Sequence, residues 1–301
     1  MGVETLIVER SSSPGAVLLA GLVTLAKTAP RHPALPGVRL VRPDLAIEAA
    51  PLAEYRALCG FSEAQGVPPI WPHLLAFPLH LELMMRRDFP YPLAGTVHIG
   101  NRIVQHGAMA IGGRLTVSAE FGGFQSHPRG QAFTILAEAQ LGGGTVWRSE
   151  SVYLRRGARS ALGGPISTLS DEDAATTQTG AEAIARAVAL RYARLSGDRN
   201  PIHLSWLGAR LFGFKRPIAH GMWTKARALA RVLPAAPLER VAIDVAFRAP
   251  ILLPGRVTHF ADRAGDGTGF AVRDGAGERL HLVGRLGRDP VFEEELHAQH
   301  Q

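Results

Sequence analysis

Several features that define common protein classes are missing from this 301-residue sequence. It has one cysteine, Cys59, so the chain cannot build an internal disulfide framework, which fits a reducing compartment and predicts a cytoplasmic protein. No Walker sequence and no Gly-x-Gly-x-x-Gly loop is present, so no nucleotide cofactor is indicated. None of the twelve histidines has the spacing to cysteine or acidic residues that is typical of metal sites. We therefore predict no metal and no other cofactor.

A hydrophobic run long enough to cross a membrane is missing too. Residues 15–26 are apolar, but they are fewer than the roughly 20 residues that a span requires. Glu4 and Glu9 precede this run, whereas a secretory signal starts with a basic region. Pro14 suits the first turn of a helix. We predict an N-terminal helix that packs on the body of the protein, and a proline-rich linker that ends at Pro36.

The composition allows a packed core and favours an anionic partner. Hydrophobic residues make up 46% of the chain and charged residues 20%, which argues against wholesale disorder. The formal net charge is +7, which suits phosphate-bearing ligands, although an arginine-rich composition explains it equally well. The arginines are scattered and no basic run is interleaved with aromatic residues, so we do not expect nucleic-acid binding.

The rest of the chain divides into two units with the same order of elements. The first has helical patterns and then four segments rich in β-formers, at 51–61, 70–85, 95–105, 115–124, 131–140 and 144–154. The second has three helical patterns and then four strand patterns, at 187–195, 205–212, 219–233, 240–247, 256–263, 269–273 and 279–286. Residues 157–178, rich in Gly, Ser, Thr and Ala, are the best linker between the units.

A short internal repeat supports this division. The segment 55–61 (YRALCGF) parallels 192–198 (YARLSGD) at an offset of 137 residues. Phe61 stands where the second copy has Asp198, and no Asn-Pro-Ile-His follows it, so the first copy cannot perform the same chemistry. We expect an N-terminal segment, a degenerate repeat, a linker, a catalytic repeat and a tail, at 1–36, 37–156, 157–178, 179–290 and 291–301.

The densest chemistry lies between Tyr192 and Gly221. Asp198, Asn200 and His203 fall within six residues, and an aspartate and a histidine this close can share one water molecule for acid–base work. Gly221 stands where a helix could begin, and a helix N-terminus presents free N–H groups to a negative oxygen. The structural alternatives are a turn or cap for Asp198 and Asn200, and a backbone-bonded histidine for His203.

This segment resembles the hydratase-2 signature of the MaoC-like (R)-specific enoyl-CoA hydratases and 3-hydroxyacyl-thioester dehydratases. The matching positions are Tyr192, Leu195, Ser196, Gly197, Asp198, Asn200, Pro201, Ile202, His203 and Ala209, and the downstream segments Gly213-Phe214 and Ile218-Ala219-His220-Gly221-Met222 are also similar. The resemblance implies an α+β double hot-dog fold, in which each repeat wraps a curved antiparallel sheet around a long helix and the two repeats pair as a pseudo-dimer. A homodimer of the whole chain is among the assemblies that it allows.

The resemblance also implies a hydro-lyase that interconverts trans-2-enoyl and (R)-3-hydroxyacyl thioesters of CoA or acyl carrier protein. Asp198 and His203 would activate water and protonate C2, Asn200 would hold their geometry, and the Gly221 N–H would bind the thioester oxygen. We place four residues beside the substrate, namely Gly197, His220, Met222 and Thr224. Basic residues are candidate phosphate contacts, chiefly Lys215, Arg216 and Arg248, with Lys225 and Arg227. The degenerate repeat would supply part of the acyl tunnel.

Three other interpretations stay open from the sequence. The same fold could act on a branched, dicarboxylic or polyketide acyl thioester. It could also be a non-catalytic acyl-binding subunit, although the intact Asp198, Asn200 and His203 argue against this. Nucleic-acid binding rests on net charge alone.

Overall fold

The computed structural model describes residues 3–9, 24, 27, 30, 32–158, 162–265 and 267–287. In chain order the elements are β1 (Glu4–Ile7), β2 (Val38–Ala46), α1 (Ala49–Cys59), a short 3-10 turn (Glu63–Gln65), α2 (Trp71–Met85), β3 (Thr96–Gln105), β4 (Arg114–His127), β5 (Gly130–Leu141), β6 (Gly144–Arg156), β7 (Gln178–Ile184), α3 (Ala187–Ser196), α4 (Pro201–Leu204), α5 (Trp206–Leu211), α6 (Gly221–Val232), β8 (Val241–Phe247), β9 (Gly255–Ala264), β10 (Gly267–Asp274) and β11 (Leu280–Gly287).

One eleven-stranded sheet joins the two halves of the chain. Its order is β1-β2-β4-β5-β6-β3-β8-β11-β10-β9-β7, so the halves meet where β3 pairs with β8. The pairing is antiparallel, with Ile103 opposite Ile243 at the centre of the junction. Reading outward from this junction, β3-β6-β5-β4-β2 in the first half corresponds to β8-β11-β10-β9-β7 in the second, and β1 adds a sixth strand at the outer edge of the first half. The order therefore has an internal two-fold symmetry, as expected for two copies of one fold.

Each half packs its longest helix against its own strands. α2 contacts β2, β4 and β5, and α6 contacts β10. α2 is apolar on nearly all sides because it is buried between the sheet and neighbouring helices, and it includes Pro78 in its interior. α6 buries seven of its twelve residues, among them Trp223 and Leu229. These two helices confirm the helix-on-sheet units that the sequence predicted.

The short repeat corresponds to two equivalent helix ends. α1 ends at Gly60 and α3 ends at Gly197, and both glycines have left-handed backbones, with φ of 85° and 75°. Only glycine adopts this conformation without a steric penalty from a β-carbon. Tyr55 and Tyr192, which open the two copies, are fully buried and their ring centroids lie 6.5 Å apart. The repeat therefore forms a matched pair of helices at the centre of the core.

Four elements were not predicted from the sequence. β2 does carry an alternating pattern, with Val38 and Leu40 buried, but its charged residues masked it. β7 is largely exposed at the sheet edge, so it has no buried run to reveal it. β1 and α4 have only four residues each, which is too short for periodicity to show.

The predicted N-terminal helix at 15–26 lies outside the described residues, apart from Thr24, as does the tail at 291–301. Near this segment, the Lys27 ammonium donates to the carbonyl oxygens of Arg86 and Phe89. In the part of the chain that the structure describes, no helix has the length and apolar character of a membrane span. The repeat boundaries remain a prediction.

Candidate active site

A cavity of about 940 Å³ opens between the two halves of the molecule. This volume is typical of sites that bind small organic ligands. The second half contributes the loop at 198–203, the start of α6 and the end of β8, including Asp198, His203 and Gly221. The first half contributes an apolar wall from α2, β3 and β6, including Leu74 and Phe77. The residues predicted to be catalytic and the degenerate repeat therefore share one cavity.

Asp198 and His203 face each other across a gap that suits one water molecule. Oδ2 of Asp198 lies 3.8 Å from Nε2 of His203, which is too long for a direct hydrogen bond. A water oxygen can bind to both atoms at that separation. The five-residue spacing works because Pro201 starts α4 and turns the chain, so that both side chains point to the same place.

The environment of His203 sets its tautomer and its charge. Nδ1 lies 2.8 Å from the carbonyl oxygen of Ile218, which can only accept, so Nδ1 donates and Nε2 of the neutral ring carries a free lone pair. Burial lowers the pKa of His203, and the Asp198 carboxylate and the Ile218 carbonyl partly oppose this effect. The ring is therefore neutral at physiological pH, with its basic nitrogen directed at Asp198.

His220 holds the loop at 198–203 against α6. Its ring stacks on His203, with centroids 3.7 Å apart, and Nε2 donates to the backbone oxygen of Asp198 at 3.0 Å. Burial, with His203 beside it, lowers the pKa of His220 to about 3. His220 also occupies the position just before the first residue of α6, where its side chain makes no capping hydrogen bond. It thus shapes the loop and the start of the helix, and the neutral ring adds no positive charge to the site.

Gly221 is the first residue of α6, so its N–H has no partner within the helix. A β-carbon at this position would lie 3.1 to 3.4 Å from three ring atoms of Phe247, which is tighter than an ordinary contact. The glycine therefore leaves room for a ligand oxygen to approach the N–H beside the Phe247 ring. The helix dipole would favour negative charge on that oxygen.

Asn200 has a structural position in this arrangement. Its side-chain oxygen accepts the N–H of Ile202 at 3.3 Å and caps α4, which carries His203. The N–H of Asn200 in turn donates to Oδ1 of Asp198, also at 3.3 Å. Asn200 lines the cavity but is exposed, so its contacts favour a role in positioning Asp198 and His203.

The same three side chains could be considered for a metal ion. One polar atom from each of Asp198, His203 and His220 lies within 4.8 Å of the others. However, the two rings are stacked with an interplanar angle of 23°, so their in-plane lone pairs run side by side and do not converge on one point. Tetrahedral ligation requires converging lone pairs. Because Nε2 of His220 is also bonded to the protein backbone, the arrangement fits proton transfer better than ligation.

Only some of the other residues predicted to bind substrate line the cavity. Met222, Thr224 and Arg248 line the cavity, as His220 does, whereas Gly197, Lys215 and Arg216 do not. Gly197 instead terminates α3. The Arg248 guanidinium is bonded to the Asp171 carboxylate and to a backbone oxygen.

The structure contradicts the prediction that two residues of α6, Lys225 and Arg227, contact phosphate groups. Lys225 is fully buried, and its ammonium donates to the side-chain and backbone oxygens of Asn101 on β3, at 2.6 and 2.9 Å. Burial lowers the pKa of Lys225 to about 7. Arg227 forms an ion pair with Glu182 at 2.6 Å. Neither side chain is available to a phosphate, because both hold secondary-structure elements together.

Sequence reasoning missed several residues of the cavity wall. Four exposed arginines line it, namely Arg129, Arg156, Arg199 and Arg279. Aromatic and histidine side chains also do so, among them His73, His98, Tyr153, Tyr192 and Phe247. These residues come from strands, helices and connecting loops far apart in sequence, and no local motif marks them. Only Tyr192 carried a signal, as the first position of the hydratase-2 signature.

Comparisons with known proteins identify relatives for both halves. Residues 168–284 match the family model described as the MaoC like domain. The chain is 30% identical over 254 residues to the 3-hydroxyacyl-thioester dehydratase X of Mycobacterium tuberculosis, covering 84% of this chain and 90% of that relative. The similarity extends beyond the signature segment through both halves of the molecule.

Solved structures with a similar fold agree with these matches. A crystal structure of HtdX from M. tuberculosis has a TM-score of 0.71 at 27% identity, covering 83% of this chain and 100% of that one. A MaoC-like dehydratase from Phytophthora capsici has a TM-score of 0.64 at 19% identity, covering 82% and 96%. A second M. tuberculosis protein with a double hot-dog fold has a TM-score of 0.53 at 15% identity, covering 81% and 92%. The predicted double hot-dog architecture is confirmed.

Proposed function

The chain belongs to the MaoC-like dehydratase family and is a hydro-lyase of hydroxyacyl thioesters, and we propose that it interconverts trans-2-enoyl and (R)-3-hydroxyacyl thioesters with Asp198 and His203 as its acid–base pair. The observation that carries this assignment is the 3.8 Å separation of Asp198 Oδ2 and His203 Nε2 on the wall of the cavity. Because Nδ1 of His203 donates its proton to the hydrogen bond with Ile218, Nε2 of the neutral ring has a free lone pair, which supports its role as the base that removes a proton from water.

The geometry supports the following order of reaction steps for hydration. Water bound between Asp198 and His203 loses a proton to the pair, and its oxygen forms a bond to C3 of the enoyl thioester. The π electrons of the C2–C3 bond move to C2 and the thioester oxygen, where the N–H of Gly221 stabilises the negative charge. C2 then takes the proton back from the pair. Dehydration follows the same steps in reverse, and no redox cofactor is required because only water is added or removed.

We place the pantetheine and phosphates of the substrate at the arginine-lined part of the cavity and the acyl chain along its apolar wall. Arg129, Arg156 and Arg199 are exposed there and suit anionic groups. Leu74 and Phe77, from the degenerate repeat, suit a hydrocarbon chain. CoA and acyl carrier protein both present such phosphates, so we propose either as the carrier. A cytoplasmic location and a homodimer of the chain also remain proposals.

The test is the hydration of short, medium and long trans-2-enoyl-CoAs, with the chirality of the product determined. We expect turnover and the (R)-3-hydroxy product. An (S) product would refute the stereochemical assignment. Binding without turnover, for CoA and carrier-protein substrates alike, would favour a non-catalytic acyl-binding subunit instead.

A further inference from the structure

The apolar wall of the cavity contains two histidines that the proposed chemistry does not use. His73 lies on α2 and His98 on β3, both in the degenerate repeat, and both line the cavity. His73 is 2% exposed, and among the described residues neither of its ring nitrogens has a hydrogen-bond partner. Nε2 of His98 is buried and also lacks a partner there.

These rings stand next to the position of the thioester oxygen. The His98 ring lies 5.2 Å from that of Phe247, the residue whose ring borders Gly221. His73 is one ring further on, 6.1 Å from His98 and nearly parallel to it, with an interplanar angle of 13°. An acyl chain that leaves the Asp198–His203 site towards the first half of the molecule therefore passes both histidines.

The neighbouring polar group of the wall is already engaged. The Tyr153 hydroxyl lies 3.0 Å from Nδ1 of His80, and the Tyr153 ring stacks on His98 at 4.6 Å. Tyr153 therefore fixes the orientation of the His98 ring but offers it no hydrogen bond through the hydroxyl. Among the described residues that line the cavity, His73 and His98 are the two on the apolar wall with buried ring nitrogens that lack a hydrogen-bond partner, and Nδ1 of His220 lacks one on the opposite side.

Both histidines are neutral at physiological pH. Burial lowers the pKa of His98 to about 3 and that of His73 well below its usual value, and Lys225 adds to both effects. A neutral imidazole has one N–H donor and one lone pair. Buried polar atoms without partners are unfavourable, and a purely hydrocarbon ligand would leave them so. The two neutral rings are therefore best matched by an uncharged ligand group that can both donate and accept hydrogen bonds.

We propose that His73 and His98 form a polar subsite for a hydroxyl group on the acyl chain, beyond C3, so that the preferred substrates are hydroxylated enoyl thioesters. This inference rests on the proposed function, because it assumes that the acyl chain occupies the apolar wall. It concerns substrate choice and not the acid–base step. Anionic substituents are disfavoured, since neither histidine is charged.

The test compares pairs of trans-2-enoyl-CoAs of equal length, with and without one hydroxyl, which is moved along the chain one carbon at a time. The quantity measured is the ratio of kcat/KM for the two members of each pair. With the wild-type enzyme we expect the ratio to rise about tenfold or more at one or two adjacent positions, as one or two hydrogen bonds allow. No rise at any position, or a larger rise with a terminal carboxylate, would overturn the proposal.

Substitutions then assign the effect to the two side chains. His73→Leu and His98→Phe should each lower the ratio towards one, whereas Phe77→Leu, on the same wall, should retain it. Because the ratio is measured within one variant, differences in folded fraction cancel. A ratio that survives both histidine substitutions would refute the assignment. If a variant fails to fold, the wild-type series decides.

The proposed function and the proposed subsite can be refuted independently of each other. Turnover of the unsubstituted enoyl-CoAs reports on the former, and the ratio reports on the latter. If no enoyl-CoA is turned over, calorimetric titration with matched saturated acyl-CoAs, with and without the hydroxyl, gives the ratio as affinities. Equal affinities at every position would overturn the subsite.

Discussion

Replacing Asp198 by asparagine should abolish most of the activity while leaving the fold intact. The carboxylate is one half of the proposed acid–base pair, and such groups contribute about 10²- to 10⁴-fold to the rate, or roughly 3 to 5 kcal/mol of the activation barrier. Asparagine cannot exchange a proton at neutral pH. We therefore expect kcat/KM to fall by at least about a hundredfold.

The contacts of Asp198 explain why stability should be preserved. His220 binds the backbone oxygen of Asp198, and Ser196 accepts its backbone N–H, so both contacts persist in the variant. The side-chain contact is Oδ1 with the N–H of Asn200, and the amide oxygen of asparagine can accept the same bond. We expect the free energy of unfolding to change by less than about 1 kcal/mol.

The assay follows the loss of the ultraviolet absorbance of the conjugated enoyl thioester, and urea unfolding measures stability. Asp274→Asn is a matched control, because Asp274 also accepts a backbone N–H through Oδ1, from Glu278, and does not line the cavity. It should keep wild-type kcat/KM. If Asp198→Asn folds normally and stays within about tenfold of the wild-type kcat/KM, the proposed acid–base role is wrong.

Three further predictions follow from the site and its surroundings. Gly221→Ala should lower kcat/KM by about tenfold or more, because the new methyl group crowds Phe247 where the thioester oxygen binds; partial recovery in Gly221→Ala with Phe247→Leu would support this cause, and an unaffected rate would contradict it. Since burial lowers the pKa of His203, the acid limb of the kcat/KM profile should lie below about pH 6.5, and a limb at or above that value would contradict the neutral ring. Burial also lowers the pKa of His80 and His220 to about 3, so on acidification the unfolded chain binds protons at these histidines before the folded chain does. The free energy of unfolding should therefore be highest above about pH 6.5 and should fall towards about pH 3 by roughly 1.4 kcal/mol per pH unit for each histidine, as measured by urea unfolding at a series of pH values.

The sequence by itself determined the features that depend on neighbouring residues. The alternating patterns located β3 to β6 and β8 to β11, because strand periodicity is a local property. The segment from Asp198 to His203 could be proposed for acid–base chemistry because its loop and short helix bring both side chains together within six residues, although contacts from Ile218 and His220 complete the arrangement. The glycines that follow α1 and α3 belong to the repeated segment for the same reason, since glycine adopts a left-handed backbone without a steric penalty.

Only the tertiary structure decided what depends on long-range pairing. His98 reaches the cavity because β3 pairs with β8, which places Gly100 opposite Ala246, more than a hundred residues away in sequence. The burial of Lys225 against Asn101 depends on the same junction. A basic residue on an amphipathic helix gives no sign of which neighbour will cover it. The apolar wall and its unpartnered histidines therefore form only when the two halves pack around one cavity.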